Sequence, residues 1–281
     1  MEQTNEKEWR NQEMKINIRL ETPADYRAVE ELTREAFWTF WEPDQKICNE
    51  HLLVRRLRSA PSFVPELDFV AELDGSIVGH IIYTKSKIVD NSGKENETLT
   101  FGPLSVLPEY QNTGIGQKLM LHSFEEARLL GYRAVLIFGH PDYYPRVGFL
   151  RAAEFGIVTA DGHTRDAFMV RQLYDGALDG IQGRYCIDPV YEQLTEEDTL
   201  DFDEQFPFKE AFTPAPISIL LDQLEPEPRK ALAESGCQSL EMMTSKSERE
   251  IASLTGMNAK AVETIRTVLR KHGVRWGKSK P

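Results

Sequence analysis

Between Phe101 and Gly116 the chain carries the residues best suited to holding an anion. The run Phe-Gly-Pro-Leu-Ser-Val-Leu-Pro-Glu-Tyr-Gln-Asn-Thr-Gly-Ile-Gly has β character at Leu104, Ser105 and Val106 and stops at Pro108. It then turns through Gln111, Asn112, Thr113, Gly114, Ile115 and Gly116 into a helical pattern that runs to Leu130. Two glycines two residues apart let the backbone curl with its N–H groups inward, and the helix N-terminus adds partial positive charge. A pyrophosphate suits such a cradle; a plain turn before a helix is the structural alternative. Two nucleotide motifs are excluded. A P-loop needs Gly-Lys-Ser/Thr where Gly116 is followed by Gln117 and Lys118, and a dinucleotide fingerprint needs a glycine where Leu119 stands.

The stretch resembles the acetyl-CoA-binding segment of the GCN5-related N-acetyltransferases (GNAT), in which a strand ending in Val-x-Pro precedes Gln/Arg-x-x-Gly-x-Gly/Ala at a helix start. Val106, Pro108, Gln111, Gly114 and Gly116 match it. The likeness continues through the strand Ala134–Phe138 into Gly139-His140-Pro141-Asp142-Tyr143-Tyr144-Pro145-Arg146-Val147-Gly148-Phe149, because family members carry a Tyr four residues before a Gly-Phe pair. The resemblance spans roughly residues 14–192 and implies acetyl-CoA as cosubstrate, a primary amine as acceptor and no metal. It further implies that Leu104, Ser105 and Val106 hold the pantetheine arm as a false extra strand, while residues 111–116 hold the pyrophosphate.

In that reading Val106 N–H is an oxyanion donor, and Tyr144 is the general acid for the leaving thiolate, a role its pKa of about 10 suits. Tyr143 is the fallback acid and otherwise packs against the cofactor. His140 and Asp142 lie close enough to Tyr144 to face the same cleft, with His140 the candidate base and Gly-His-Pro-Asp equally readable as turn chemistry. The Asn that precedes the Tyr by seven positions in protein N-terminal acetyltransferases is Ile137 here, which favours a small amine over a protein terminus.

The elements that must position these groups can be read along the chain. Residues 1–13 are polar and are expected to be a disordered leader. Ile16 and Ile18 alternate in a first strand, and Thr22-Pro23-Ala24-Asp25 signals a helix start. That helix ends in the aromatic cluster Phe37, Trp38, Phe40 and Trp41; the resemblance implies that this region forms a wall of the acceptor pocket, with Trp38 and Trp41 the candidate acceptor-binding residues, and capping of the core is the alternative. A second helix at Leu52–Leu57 brings Arg55, Arg56 and Arg58, read as a solvated face. Asp74-Gly75 joins strands at 68–73 and 76–87 in a hairpin, with His80 a packed strand residue. Further strands at 156–159, 167–173 and 185–190 complete a mixed β-sheet flanked by helices, an α/β domain over residues 14–194.

The rest of the chain differs in charge. Residues 205–281 hold 12 Lys and Arg against 9 Asp and Glu, whereas residues 1–204 hold 21 against 36, within a formal charge of −12. Three scattered cysteines form neither a disulfide framework nor a zinc spacing, and there is no apolar run of about 18 residues, so a cytoplasmic location without a membrane is expected. Residues 195–216 read as an acidic edge or linker. Residues 217–281 read as a small all-α unit with helices at 229–235, 246–253 and 259–272. Leu254-Thr255-Gly256-Met257-Asn258 resembles a helix-hairpin-helix turn, and the stretch from about Leu220 to Gly277 is similar to the C-terminal domain of the RNA polymerase alpha subunit. That likeness implies a nucleic-acid or protein partner for residues 217–281, with Lys260, Arg266, Arg270 and Lys271 as phosphate contacts. The alternative function is therefore an acetyl-CoA-sensing regulator of transcription.

Overall fold

The computed structural model describes residues 15–38, 48–141, 143–209, 215–240, 242–243, 246–272 and 274. The expected leader, Trp41 and Asp142 lie outside them. The chain divides into two compact units, the first ending at Lys209. No described helix is long and apolar enough to cross a membrane.

The first unit is built on one mixed sheet. Its strands are β1 (Asn17–Leu20), β2 (Phe69–Leu73), β3 (Ser76–Val89), β4 (Glu95–Val106), β5 (Ala134–Phe138), β6 (Leu150–Arg151), β7 (Ile157–Val158), β8 (Phe168–Gln172) and β9 (Gly183–Cys186). The order is β1-β2-β3-β4-β5-β8-β6, and β9 joins β7 to the far end of β3. Asp74 and Gly75 both take positive φ, 51° and 79°, the turn geometry whose twist matches a tight β2–β3 hairpin. β4 and β5 run parallel, and their only paired residues are Leu99 and Val135. From that rung onward the two strands part.

Helices cover both faces. They are α1 (Tyr26–Phe37), α2 (Glu50–Leu57), α3 (Ile115–Leu129) and α4 (Glu196–Asp203). On one face α3 buries Ile115, Leu119 and Phe124 against Ile81, Tyr83, Leu99, Phe101, Val135, Ile137 and Phe149. On the other, Val29 of α1 and Val54 of α2 meet Val70, and a separate cluster joins Leu136, Phe168, Val170 and Tyr185.

Two expectations change here. Residues 195–204 are no linker: Thr195 caps α4 by accepting from Asp198 N–H, and Phe202 packs with Leu52 and Phe206. Asp203 also grips Arg34 of α1 through both carboxylate oxygens, at 2.5 and 2.8 Å. Phe202 supplies an apolar anchor that the acidic surroundings hid. Nor is Arg58 solvated. It donates to both oxygens of Glu21 (2.9 and 2.6 Å) and to Glu30 (2.9 Å), over the ring of Tyr26. Next to it, His80 Nε2 lies 2.8 Å from Asp68 Oδ1, and both residues are buried. Burial pushes Glu21 up to about 7 and Asp68 up to about 6, and holds His80 down at about 4. Glu21, Asp68 and His80 have the spacing of a cation site, and the cation standing against Glu21 is the Arg58 guanidinium.

The second unit contains α5 (Ser218–Leu221), α6 (Pro226–Glu234), α7 (Glu248–Ala252) and α8 (Ala259–Lys271) around Leu220, Leu232, Leu240, Ile251, Ile265 and Leu269. Each α7 and α8 start is closed by a side chain. Ser247 and Glu250 form a reciprocal capping box, and Asn258 accepts from Ala261 N–H at 2.8 Å.

Candidate functional site

The parting of β4 and β5 leaves one edge of β4 without a strand partner. Leu107 N–H donates to Val78 O, on the β3 side. By strand alternation the main-chain groups of Val106 and Leu104 therefore point into the gap and those of Ser105 point to β3. Gln111 agrees with this geometry, since its Nε2 reaches Val106 O at 3.1 Å. Ser105 does not belong to the gap. Its main-chain groups are turned to β3 and its hydroxyl, 3.0 Å from that of Thr33, is fully buried, so the main-chain groups open to the gap are those of Leu104 and Val106.

At the end of this edge the chain makes a 3-10 turn at Pro108–Tyr110, passes through Asn112 at φ 63° and enters α3 at Gly114, φ 92°. That left-handed conformation is where glycine is favoured over any residue with a Cβ. No side chain caps the helix. Thr113 is turned away, its hydroxyl donating to Tyr110 O at 2.5 Å. The first helical hydrogen bond is Lys118 N–H to Gly114 O, so the N–H groups of Ile115, Gly116 and Gln117 have no partner within the helix. Ile115 contributes only its backbone, because its side chain is in the core, while Gln111, Asn112 and Thr113 are exposed. Lys118, exposed in the same first turn, adds a positive charge that the motif comparison passed over.

The two tyrosines stand on the α3 side of the sheet. A Cβ on Gly116 would lie 3.7 Å from each of Leu104 Cδ2, Val106 Cγ2 and Tyr143 Oη, so the Tyr143 hydroxyl meets strand edge and cradle where they join. Tyr144 packs at right angles to Tyr143, with ring centroids 5.1 Å apart, and against Phe101 and Phe149 at 6.2 and 5.5 Å. Its ring passes too close to Gly139 for any side chain there. Burial raises both phenols, Tyr144 up to about 12, which keeps it protonated at neutral pH. His140 is exposed, and its carbonyl accepts the N–H groups of Tyr143 (3.0 Å) and Tyr144 (3.3 Å), which fixes the turn presenting both rings.

Trp38 is buried at the end of α1, with the Arg34 guanidinium 4.4 Å and Lys209 Nζ 5.0 Å from its ring. In the second unit, two of the four expected phosphate contacts are engaged internally: Lys260 with Glu225 at 2.7 Å, and Arg266 with Glu248 and Glu263. Arg270 and Lys271 are exposed at the end of α8.

Comparison with known proteins places the chain among acetyltransferases. The model of the acetyltransferase (GNAT) family matches residues 25–155. The uncharacterized N-acetyltransferase YhbS of Escherichia coli (strain K12) is 32% identical over 167 residues, which is 59% of this chain and 92% of that protein. The uncharacterized N-acetyltransferase YjhQ of the same strain is 38% identical over 99 residues, 34% of this chain, and the chain spans about half (53%) of its length. Among solved structures, that of Escherichia coli YhbS in complex with CoA is similar at a TM-score of 0.55 and 28% identity, covering 64% of this chain and 93% of its own. A GNAT family acetyltransferase from Brucella melitensis in complex with acetyl-CoA gives 0.50 and 28%, covering 63% and 99%.

Proposed function

Because the chain belongs to the acetyltransferase (GNAT) family and is an N-acetyltransferase, we propose that it transfers acetyl from acetyl-CoA directly to the primary amine of a small acceptor. The observation that carries this reading is the unpaired β4 edge running into an uncapped helix start. The donors fit a CoA thioester. Leu104 and Val106 offer main-chain groups to an amide-bearing arm, and the N–H groups of residues 115–117 offer an anion site at its pyrophosphate end.

In the chemical step the amine nitrogen bonds to the acetyl carbon and the carbon–sulfur bond breaks. Val106 N–H, aimed into the gap, stabilises the oxyanion between those events. Tyr144 gives its phenolic proton to the departing thiolate and is reprotonated from solvent, while Tyr143 lines the arm. The acceptor nitrogen gives up two protons, one as the ammonium becomes the attacking amine and one from the tetrahedral adduct, and both leave by way of His140, directly or through water, to solvent, which returns one to Tyr144.

Calorimetric titration with acetyl-CoA and a CoA-release assay test the reading together. Tyr144→Phe is expected to lower kcat about a hundredfold or more with acetyl-CoA affinity kept, in the range for removing a general acid. If Tyr143→Phe gives that loss and Tyr144→Phe does not, the two roles exchange. No binding of acetyl-CoA by the full chain overturns the function.

A further inference from the structure

The acceptor side of the gap carries a feature that the transfer chemistry leaves unused. Phe138, the last residue of β5, is 54% exposed, although it closes a strand whose other residues are all buried. Alternation along β5 sends Val135 and Ile137 into the α3-side core and Ala134 and Leu136 to the opposite face, and Phe138 follows the latter. There it stacks on its cross-strand partner Phe168, with centroids 4.9 Å apart and planes at 24°, and Phe168 in turn rests on Tyr185 at 5.1 Å. Two buried rings thus hold an exposed one in a fixed plane.

The position relative to the gap follows from register. Leu99 pairs with Val135 in parallel, so Gly102 and Phe138 each stand three residues beyond the last shared rung, on the two strands that border the opening. Gly102 puts no side chain there, and its carbonyl is 3.4 Å from Tyr191 Oη, which also meets Thr84 Oγ1 at 3.1 Å. Tyr143 and Tyr144 stand on the α3 side, where the leaving sulfur must receive its proton. A nucleophile reaches a thioester carbonyl from above or below the acyl plane, and with the two tyrosines standing on the α3 side the approach given to the amine here is from the face on which Phe138 lies.

Building on the acetyltransferase reading above, we propose that Phe138 is the acceptor-specificity residue and that the acceptor is an amine with a flat, apolar body, an arylalkylamine in chemical class. The ring of Phe138 takes the body of the acceptor by stacking, with the amine carried past it to the thioester. The acidic balance of residues 1–204, 36 Asp and Glu against 21 Lys and Arg, draws any ammonium acceptor toward this unit, so charge steers while the ring selects.

The test compares 2-phenylethylamine with propylamine, both cationic in solution, on the full chain, after acetyl-CoA binding has been measured by calorimetry. The expected kcat/KM is about tenfold or more in favour of 2-phenylethylamine, the scale on which an apolar pocket discriminates. Phe138→Ala should shrink that ratio about tenfold and Phe138→Tyr should preserve it. Phe138 is exposed, so both variants should fold, and far-ultraviolet circular dichroism checks this. Acetyl-CoA binding with no preference between the amines, or a preference untouched in Phe138→Ala, overturns this inference while leaving the acetyltransferase reading intact. Absence of acetyl-CoA binding overturns both.

Discussion

Two turns in this molecule enter helices from a glycine with positive φ, and they treat the helix start in opposite ways. At α3 the chain arrives through Gly114 at φ 92° and no side chain meets the first-turn N–H groups. At α8 it arrives through Gly256 at φ 93°, two residues before Asn258, whose side chain accepts from Ala261 N–H. The same backbone device therefore leaves one dipole end open to an outside anion and closes the other from within. A helix start is a site only when the chain declines to satisfy it.

The largest effect that can break this comparison is expected from Gly114→Glu. It puts carbon and negative charge at the open start, and acetyl-CoA affinity should fall about a hundredfold or more by calorimetry. Unfolding of the same variant measures the strain of a non-glycine residue at that φ, about 1–2 kcal/mol. A loss of affinity below tenfold would mean that the open N–H groups are not what holds the cofactor.

Buried charges in the first unit follow the closed pattern, and their effect is read against pH. Glu21, raised from 4.5 to about 7, keeps a proton in the fold that the unfolded chain has released, so stability drops as pH rises through that interval. Asp68 acts with the same sign from 3.8 to about 6. His80, held neutral down to about 4 against 6.5 unfolded, acts with the opposite sign and loses stability as pH falls through its interval. Glu21→Gln should remove up to one proton from the slope, at most about 1.4 kcal/mol per pH unit, and so compare better with the parent protein at pH 8 than at pH 5. Chemical denaturation at the two pH values measures it. An unchanged difference would show that Glu21 titrates alike in both states.

Asn258→Ala removes the internal cap of α8 and should cost the second unit about 1 kcal/mol, read from its unfolding, with acetyl-CoA binding unchanged. The smallest effect is expected at Gly116. A methyl there finds ordinary contact distances of 3.7 Å on every side, so Gly116→Ala should change acetyl-CoA affinity by no more than a few-fold. A loss as large as that of Gly114→Glu would move the weight of the cradle from the backbone of Gly114 to the space at Gly116.

How much of this was legible depended on whether the signal was local. The hairpin at Asp74-Gly75, the strand leading into Gln111–Gly116 and the placing of Tyr143 and Tyr144 before Gly148-Phe149 were readable, because each rests on spacing within about ten residues. That Ser105 faces β3 is not legible, since facing the gap or facing β3 is a matter of alternation fixed by the Leu107–Val78 hydrogen bond, a contact between strands far apart in sequence. Arg58 was misread for a similar reason. Its three partner oxygens come from Glu21 and Glu30, more than 25 residues away, and a charge run is solvated unless such partners arrive. The acidic stretch at 196–203 hid a helix because the partners of its buried groups are distant in sequence: Phe202 packs on Leu52 and Asp203 pairs with Arg34. Phe138 was counted only as the end of a strand, and nothing in the sequence distinguished an exposed ring from a buried one.

The single rung between Leu99 and Val135 also has a mechanical meaning. It makes the β4–β5 boundary a seam at which the sheet is sewn once, so the cosubstrate, by hydrogen-bonding along the open edge, would act as part of the fold. At a hundred times its Kd such a ligand adds about 2.7 kcal/mol to stability. The added protection should be uneven. Amide exchange at Leu104 and Val106, whose N–H groups face the seam, should slow when acetyl-CoA is added, whereas Ser105 between them, already turned to β3, should keep the rate it has without ligand.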